Sequence, residues 1–337
     1  MGIADDYRAI REGTAIGSIS PRSQIAVAGK DRASYLQGLL TNDIPALKPG
    51  TGCYAAWLTA QGRMLTDMHV LESGAMILLD VPAATAAATL ERLDQFLFSE
   101  DVQLGSLAEA MTGVWVHGPD AATTLEHTFE GADGLSGWTD YQHTKFEYEG
   151  EPVSVARIDQ LGVAGYCVFL ERSREGKLVS ALQASGARVV GSDALEAARI
   201  EAGYPVFGVD MTEATIPLEA GIEDRAISLT KGCYVGQEII IRVLHRGGGR
   251  VAKKLVGLQI EASSEGGDSR RVARGAKLFA GDREIGAITS VAESPRLGAI
   301  ALGYVHRDFT TPGTAIQVDT GEARRPAIVA ARPLAAA

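Results

Sequence analysis

Residues 231–238 read K-G-C-Y-V-G-Q-E, and they lie near the end of a longer block, residues 198–242. The block reads A-R-I-E-A-G-Y-P-V-F-G-V-D-M-T-E-A-T-I-P-L-E-A-G-I-E-D-R-A-I-S-L-T-K-G-C-Y-V-G-Q-E-I-I-I-R. It is dense in Gly, Pro, acidic and isolated polar residues, and it lacks the long apolar periodicity of a packing segment. Because binding and catalytic residues are often built on such irregular backbone, this block is the candidate functional segment.

Cys233 is the distinctive chemical group of the block. It lies two residues after Lys231, and a neighbouring ammonium favours the reactive thiolate form of a cysteine. Gly236 allows backbone to approach a ligand closely. Glu238 precedes the run Ile239–Ile241, and if that run begins a helix, the carboxylate lies near its positive end. Free cysteine is equally often a small buried apolar group, so local chemistry leaves both interpretations of Cys233 open.

Two acidic residues earlier in the block are candidates for ligand binding. The carboxylate of Glu201 can accept two parallel N–H bonds, which suits a 2-amino-4-oxo heterocycle such as a pterin. An ordinary glutamate at a helix end fits the same position. Asp210, within F-G-V-D-M-T, can position a loop or cap the following turn. The local sequence leaves these alternatives open.

The N-terminal part alternates short strands and helices. Ile25–Ala28 is a predicted strand, and Asp31 is the predicted cap of a helix whose apolar residues recur at helical spacing. Cys53–Leu58 and Met64–Leu71 flank a turn that contains glycine, which predicts a hairpin. After residue 250, six short apolar runs separated by Gly, Pro, Asp and Ser turns predict a small antiparallel barrel or sandwich.

Length and composition bound the function. The chain has 337 residues, which suits two or three domains, and its formal net charge of −10 argues against broad nucleic-acid binding. No apolar run approaches the roughly 20 residues that span a bilayer, and the acidic start lacks a signal-peptide pattern, so we expect a cytoplasmic protein without membrane contact. The three widely spaced cysteines and the scattered histidines predict no metal site within one chain.

The block from Arg199 to Arg242 closely resembles the folate-binding YgfZ family, a branch of the glycine-cleavage T-protein (aminomethyltransferase) superfamily. The signature of that family is K-G-C-Y-x-G-Q-E, and residues 231–238 match it at every fixed position. The pieces R-I-E-A-G-Y-P, F-G-x-D and I-P-L-E-A also match. So do V-A-G-K-D-R-A-S-Y-L-Q-G-L-L-T-N-D at residues 27–43 and L-T-A-Q-G-R-M-L-T-D at residues 58–67. The resemblance extends from about Ile19 to Val305.

The resemblance implies an α+β fold in which three domains form a T-protein-like cloverleaf around a central folate cavity. The last domain would be an antiparallel β-barrel. We expect residues 1–48 with 111–192 to form the first domain, and residues 49–110 with 193–245 to form the second, which carries the signature. Residues 246–337 would form the barrel.

The resemblance also implies which residues act. Glu201 matches the superfamily glutamate that grips the pterin ring, and Cys233 matches the cysteine that separates this branch from true aminomethyltransferases. Tetrahydrofolate or a derivative is the expected cofactor. We expect the reacting groups to be Cys233, Lys231 and Asp67, and the residues that bind the cofactor to be Glu201, Asp210, Tyr234, Gly236, Gln237, Glu238 and Arg242.

The implied function is that of a folate-binding accessory protein for iron–sulfur cluster assembly or repair, with an indirect effect on tRNA modification. Its partners would be folate and iron–sulfur client or assembly proteins. True T-proteins carry two consecutive acids where this chain has Thr66 and Asp67, and this departure favours the accessory function. The alternative is a tetrahydrofolate-dependent aminomethyltransferase or other one-carbon transferase, with Asp67 as the surviving acid. A folate-binding module without chemistry is a third interpretation.

Overall fold

The computed structural model describes residues 2–246, 248–261, 272–321 and 323–334. Within these ranges lie nine α-helices: α1 Ile3–Glu12, α2 Arg32–Leu39, α3 Ala83–Gln95, α4 Ala121–Thr128, α5 Glu175–Ala184, α6 Ser192–Ala202, α7 Pro217–Ala220, α8 Glu223–Ala226 and α9 Gln237–Ile241. None of these described helices has the length and apolar character needed to cross a membrane.

The same ranges contain seventeen strands: β1 Ala15–Ile16, β2 Arg22–Ala28, β3 Thr51–Leu58, β4 Met64–Glu72, β5 Ile77–Pro82, β6 Gln103–Ser106, β7 Met111–His117, β8 His143–Tyr148, β9 Glu151–Arg157, β10 Gly165–Glu171, β11 Arg188–Val189, β12 Lys253–Ile260, β13 Lys277–Ala280, β14 Arg283–Ser294, β15 Gly298–His306, β16 Ala315–Asp319 and β17 Arg324–Ala330. They form a first sheet in the order β11-β1-β7-β10-β9-β8, a second sheet in the order β3-β4-β5-β2-β6, and a closed barrel.

The two faces of the second sheet differ because successive side chains of a strand point to opposite sides. The apolar face packs against α2 and α3, and its buried residues include Ile25, Val27, Ala55, Trp57, Met68, Val70, Leu79 and Val81. The intervening positions therefore point to the other face. Several of them are polar or ionisable: Arg22, Gln24, Tyr54, Asp67, His69 and Asp80.

Strand register places four of these side chains in one line across the sheet. His69 on β4 lies opposite Tyr54 on β3 and opposite Asp80 on β5. Asp80 in turn lies opposite Gln24 on β2. We call Tyr54, His69, Asp80 and Gln24 the polar row. Residues 22 and 67, two positions before Gln24 and His69 on their strands, lie on the same face next to it.

The first sheet covers this polar face. Its outer side packs against α4 and α5 through residues such as Val116, Val155 and Val168. Its inner side contributes to a cluster that also contains residues of the second sheet: Leu71, Leu78, Trp115, Ala156, Ile158, Cys167 and Phe169. The polar row is therefore enclosed between two sheets.

The predicted C-terminal barrel is confirmed. Six antiparallel strands close in the order β12-β15-β14-β13-β16-β17 around a buried apolar core. The barrel docks onto α6, where Ile200 packs with Leu255, Ile300, Leu302 and Tyr304. The predicted helix after Asp31 and the predicted hairpin around residue 62 are also present, as α2 and β3–β4.

The strand pairing differs from the predicted domain division at one place. That division groups residues 1–48 with 111–192, whereas β2 hydrogen-bonds to β5 and β6 of the second sheet. The reason is physical: β2 joins β5 to β6 and supplies Ile25 and Val27 to the apolar core under α2 and α3. The boundaries of the other segments stay a prediction.

Candidate functional site

Lys231 of the signature is buried, and its side chain hydrogen-bonds to backbone at the C-terminal end of α2. Its Nζ donates to the backbone carbonyls of Gln37 at 2.8 Å, Leu40 at 2.6 Å and Asn42 at 2.8 Å. The last carbonyls of a helix have no partner within the helix, so this ammonium satisfies the end of α2. Burial lowers the pKa of Lys231 to about 8. These contacts indicate a structural function for Lys231.

Cys233 and Tyr234 have opposite environments. The Cys233 side chain is exposed, and no hydrogen bond described among residues 2–246 involves its thiol. Tyr234 is buried, burial raises its pKa to about 12, and its hydroxyl has no described partner. The ammonium of Lys231 is engaged by carbonyl oxygens, so the predicted activation of Cys233 has no support in these contacts. The reactivity of Cys233 stays a prediction.

Gly236 packs the signature against the β3–β4 turn. It has φ +85°, and a Cβ there would lie 2.5 Å from the carbonyl oxygen of Thr59 and 3.0 Å from Leu58. Gly62, on the turn itself, has φ +73°, and a Cβ there would lie 3.0 Å from Ile239. Only glycine fits two such close approaches without strain. Gly236 therefore lets two chain segments pack closely, and its predicted contact with a ligand stays a prediction.

The residues after Gly236 lie toward the surface. Gln237 begins the five-residue helix α9. Glu238 and Arg242 form an ion pair one turn apart, with exposed side-chain fractions of 79% and 53%. Exposed pairs of this kind contribute only about 0.3–0.5 kcal/mol. The predicted contact of these three residues with a cofactor stays a prediction.

The carboxylate of Glu201 is buried and fully engaged. Its Oε2 accepts from Tyr7 at 2.8 Å, Arg11 at 2.8 Å and Arg296 at 3.0 Å, and Ser294 donates to Oε1. A carboxylate has about four acceptor positions, and these donors fill them. Glu201 therefore joins α1, α6 and β14. Its predicted grip on a pterin would require these contacts to be replaced, and it stays a prediction.

Glu201→Gln is expected to weaken the fold rather than ligand binding. Arg11 and Arg296 lose their negative partner, which should lower the free energy of unfolding by about 2 kcal/mol, the scale of hydrogen bonds to charged groups. Urea unfolding measures this loss, with the exposed Glu12→Gln as the matched control. A tenfold loss of folinic acid affinity in calorimetry, at unchanged stability, would instead support the pterin assignment.

Asp210 is also a structural anchor. It accepts from Arg199 Nη1 at 2.7 Å, from the backbone N–H of Val206 at 3.0 Å and from Ser290 Oγ at 2.7 Å. Arg199 donates to Ser290 as well, at 2.7 Å. The side chains of Arg199 and Asp210 are 1% and 0% exposed, so this pair is completely enclosed between α6, the following loop and the barrel. Its contacts leave cofactor binding by Asp210 a prediction.

Asp67 differs from these residues because one of its oxygens is free. It lies on β4 and is 3% exposed. Its Oδ2 accepts from the hydroxyl of Tyr54 at 2.6 Å. Its Oδ1 has no hydrogen-bond partner among the described residues, and the nearest charge is Arg22 at 3.9 Å. Since buried acceptors are normally satisfied, this oxygen marks a position for a ligand donor or a water molecule.

A buried hydrogen-bond network around Asp80 lies on the same face of the sheet as Asp67. Asp80 accepts from Arg22 Nε at 2.5 Å and from Gln24 Nε2 at 2.9 Å, and its Oδ2 lies 2.9 Å from His69 Nδ1. Burial alone would raise the pKa of Asp80, but the charge of Arg22 and the bond from His69 outweigh it and hold the pKa below its usual value. Asp80 is therefore a fixed carboxylate next to the free oxygen of Asp67.

Arg225 brings a positive charge to the same tyrosine. Its guanidinium carbon lies 4.9 Å from the centre of the Tyr54 ring and 4.1 Å from that of Tyr204. Among the described residues no carboxylate forms an ion pair with this guanidinium, which lies against the two rings and also hydrogen-bonds to the Tyr204 side chain. The site thus offers an acceptor at Asp67 and donors at Arg225, with Tyr54 contacting both. This arrangement suits a flat polar ligand that has N–H groups and a carbonyl or acidic group.

Sequence analysis missed most of this site. It identified Asp67 but not Arg22, Gln24, Tyr54, His69, Asp80 and Arg225. The signal was a lone polar residue inside an apolar strand, as in L-L-D-V at residues 78–81. Charged residues are almost never fully buried unless they are paired, so such a residue predicts a buried network.

His117 predicts a specific sensitivity to acid. It is fully buried on β7, its Nε2 lies 3.0 Å from the carbonyl oxygen of Gly17, and burial lowers its pKa to about 4. Because the folded-state pKa is below that of the unfolded chain, only the unfolded state takes up the proton between about pH 6.5 and 4. Stability is therefore lost as pH falls through this window, by about 3 kcal/mol at one pKa unit per 1.36 kcal/mol.

His117→Gln should remove this dependence. Urea unfolding at pH 7, 5.5 and 4.5 measures it, and the slope of the free energy of unfolding against pH should be shallower in His117→Gln. The exposed His127→Gln is the matched control and should follow the wild type. Equal slopes for all three proteins would show that His117 is not the buried neutral group described.

Comparison with known proteins gives matches over nearly the whole chain. The model described as GCVT N-terminal domain matches residues 1–231, and that described as Glycine cleavage T-protein C-terminal barrel domain matches residues 253–335. An aminomethyltransferase of Rubrobacter xylanophilus is 31% identical over 306 residues, which are 90% of this chain and 79% of the relative. One of Prochlorococcus marinus is 27% identical over 347 residues, 98% of this chain and 90% of the relative.

A solved structure shows the same fold. The crystal structure of glycine cleavage system aminomethyltransferase T from Bartonella henselae superposes with a TM-score of 0.86. The alignment covers 98% of this chain and 89% of that chain, at 23% identity. The predicted T-protein-like fold with a closed C-terminal barrel is confirmed.

Proposed function

We propose that this chain, which belongs to the glycine-cleavage T-protein superfamily, is a tetrahydrofolate-dependent aminomethyltransferase. Its substrates are an aminomethylated lipoyl carrier protein and tetrahydrofolate or a derivative. The observation that carries this proposal is the alignment of aminomethyltransferases over 90% or more of the chain. The buried free oxygen of Asp67 supports it, because this oxygen can take up a proton during transfer.

The predicted accessory function in iron–sulfur cluster assembly or repair is wrong. The two relatives reported above, which align over 90% or more of the chain, are named aminomethyltransferases. The expected iron–sulfur partners and the effect on tRNA modification depended on that function and are not supported either. The prediction gave too much weight to the signature and to Thr66. In the structure Lys231 and Gly236 serve packing, and Asp67 keeps a free acceptor without an acidic neighbour before it.

The residues around Asp67 fit a folate substrate. A reduced pterin has several N–H donors for the carboxylate of Asp67 and a carbonyl oxygen for the guanidinium of Arg225. The rings of Tyr54 and Tyr204 offer apolar surface for a flat heterocycle. Tetrahydrofolate supplies two nitrogen atoms that take the methylene unit, and both lose their proton. Asp67 Oδ1 is placed to hold one of these protons, with Oδ2 fixed by the hydroxyl of Tyr54.

The test is a turnover assay with tetrahydrofolate and an aminomethylated lipoyl carrier protein, in which ammonia release is measured. We expect turnover that requires both substrates. Calorimetry with folinic acid measures folate binding in parallel. Binding without turnover would contradict the transferase and favour a folate-binding module. The absence of both would contradict the proposal entirely.

A further inference from the structure

His69 is the second residue of the polar face with a free buried atom. It is 0% exposed, and it lies two residues after Asp67 on β4, so both side chains point to the same face. Its Nδ1 lies 2.9 Å from Asp80 Oδ2, whereas its Nε2 has no partner among the described residues. A buried polar atom left unpaired costs about 1–3 kcal/mol. Two such atoms, two residues apart on the same face of one strand, point to a ligand.

The hydrogen bonds around Asp80 decide which nitrogen of His69 carries the proton. Asp80 accepts from both Arg22 and Gln24, and its pKa is held below the usual value, so it is an ionised carboxylate that only accepts. Nδ1 of His69 must therefore carry the hydrogen that is donated to Asp80. Nε2 is then left with a free lone pair. A buried carboxylate that orients an imidazole in this way is the arrangement of a general base.

Burial and the groups that face His69 together set its pKa. The imidazole faces Arg22 on β2, Tyr54 on β3 and Asp80 on β5, and Asp67 precedes it on β4. The rings of Trp115 and Tyr141 lie 6.0 and 5.9 Å from its own. Burial and then the charge of Arg22 lower the pKa of His69, although Asp80 and Asp67 oppose this. The imidazole is therefore an uncharged acceptor at neutral pH.

We propose that His69 is a catalytic residue whose Nε2 accepts one of the two protons that leave the folate nitrogens, while Asp67 Oδ1 accepts the other. Asp80 and Arg22 are positioning residues that fix the imidazole. This inference rests on the proposed aminomethyl transfer. It explains why a single acid suffices on the strand: the second proton acceptor is the histidine two residues later.

The reaction balances with these two acceptors. Two folate N–H bonds break and two N–C bonds to the methylene carbon form. The C–S and C–N bonds of the aminomethyl group break, and each electron pair leaves with sulfur or nitrogen. Of the two protons taken up by His69 and Asp67, one passes to the thiolate and one to the departing nitrogen of the neutral aminomethyl group, which leaves as ammonia. No oxidant or reductant is required.

His69→Gln is the decisive variant because the glutamine amide can still donate to Asp80 but cannot act as a base. We expect kcat to fall by about 100-fold, within the usual range for loss of a general base. The acid limb of the kcat/KM pH profile should lose the contribution of His69 and so differ from that of the wild type. The affinity for folinic acid at pH 7.5 should change by less than about threefold, since one neutral hydrogen bond is exchanged. The exposed His127→Gln is the control and should keep the profile of the wild type.

A second readout does not depend on turnover. Nitrogen-15 NMR of the wild-type protein should show His69 as the neutral form with hydrogen on Nδ1, and folinic acid should shift the Nε2 signal. His69→Asn replaces His69→Gln if the latter fails to fold. Normal turnover and an unchanged pH profile in the variant overturn the inference alone. Folinic acid binding that leaves the Nε2 signal unmoved overturns it as well. A wild type that binds folinic acid but does not turn over contradicts the transferase first, and the inference with it.

Discussion

We expect Asp67→Asn to lower kcat by about 100-fold to 10,000-fold. This is the usual range for loss of a residue that takes up a proton in the reaction. Asparagine keeps nearly the same shape and can still accept the hydroxyl of Tyr54. It cannot take up a proton from a folate nitrogen. Because only this capacity is lost, we expect binding of folinic acid to persist and the free energy of unfolding to stay close to that of the wild type. Steady-state kinetics with the carrier protein and calorimetry measure the two effects.

The control is Asp94→Asn, which removes an exposed carboxylate at the end of α3 and should leave kcat unchanged. Tyr54→Phe adds a second comparison because it removes the hydroxyl that fixes Oδ2 of Asp67. We expect it to lower kcat less than Asp67→Asn does. Normal turnover in Asp67→Asn would exclude this residue as the proton acceptor and would contradict the mechanism.

Arg199→Met is expected to cause the largest loss of stability, about 3–5 kcal/mol, the cost of breaking a buried ion pair from one side. Methionine has a similar length but cannot neutralise Asp210, whose side chain is 0% exposed. It also removes the bond to Ser290 on the barrel and a bond to the carbonyl oxygen of Tyr204. Urea unfolding at pH 7 measures the change.

A double variant separates loss of charge from loss of packing. Asp210→Asn in the Arg199→Met background removes the uncompensated charge, so part of the lost stability should return. Arg8→Met is the surface control, since Arg8 is 63% exposed and forms an ion pair with the exposed Asp5. It should cost less than about 1 kcal/mol. A double variant as unstable as the sum of the two single variants would show that the charges are independent.

Local patterns predicted the elements of the fold well. The helix after Asp31 and the hairpin around Gly62 follow from apolar spacing and a glycine turn, and the six strands after residue 250 follow from short apolar runs. These signals lie within a few residues of each other. The pairing of β2 with β5 and β6 was not predicted because it joins segments about fifty or more residues apart.

The site was less predictable for the same reason. Asp67 was found through the family resemblance, but its neighbours come from four strands that meet only in the folded sheet. Tyr54, His69, Asp80 and Gln24 are aligned by strand register, and no local motif contains two of them. Arg225 lies within the candidate block, yet nothing in its local sequence indicates that it stacks on two tyrosines.

Two residues of the signature make packing contacts that the sequence did not predict. Lys231 caps α2, and Gly236 permits close packing on the hairpin turn, so both positions are demanded by the fold. Glu201 and Asp210 likewise hold α6 to its surroundings. These contacts explain why the fold needs these residues, and their predicted contact with a cofactor stays a prediction.

The docking of the barrel limits how this protein can be recombined with its relatives. Ser290, Ser294 and Arg296 of the barrel region bind charged residues of α6, and Arg332 donates to the carbonyl oxygens of Gly203 and Ala220. The backbone N–H of Leu334 also donates to the carbonyl oxygen of Glu201, at 2.7 Å. A chimera that receives a foreign barrel without these side chains would deprive the buried Arg199 and Glu201 of their partners on the barrel, while their partners elsewhere remain. The barrel is thus no exchangeable module, and grafts should succeed only when α6 is transferred together with it.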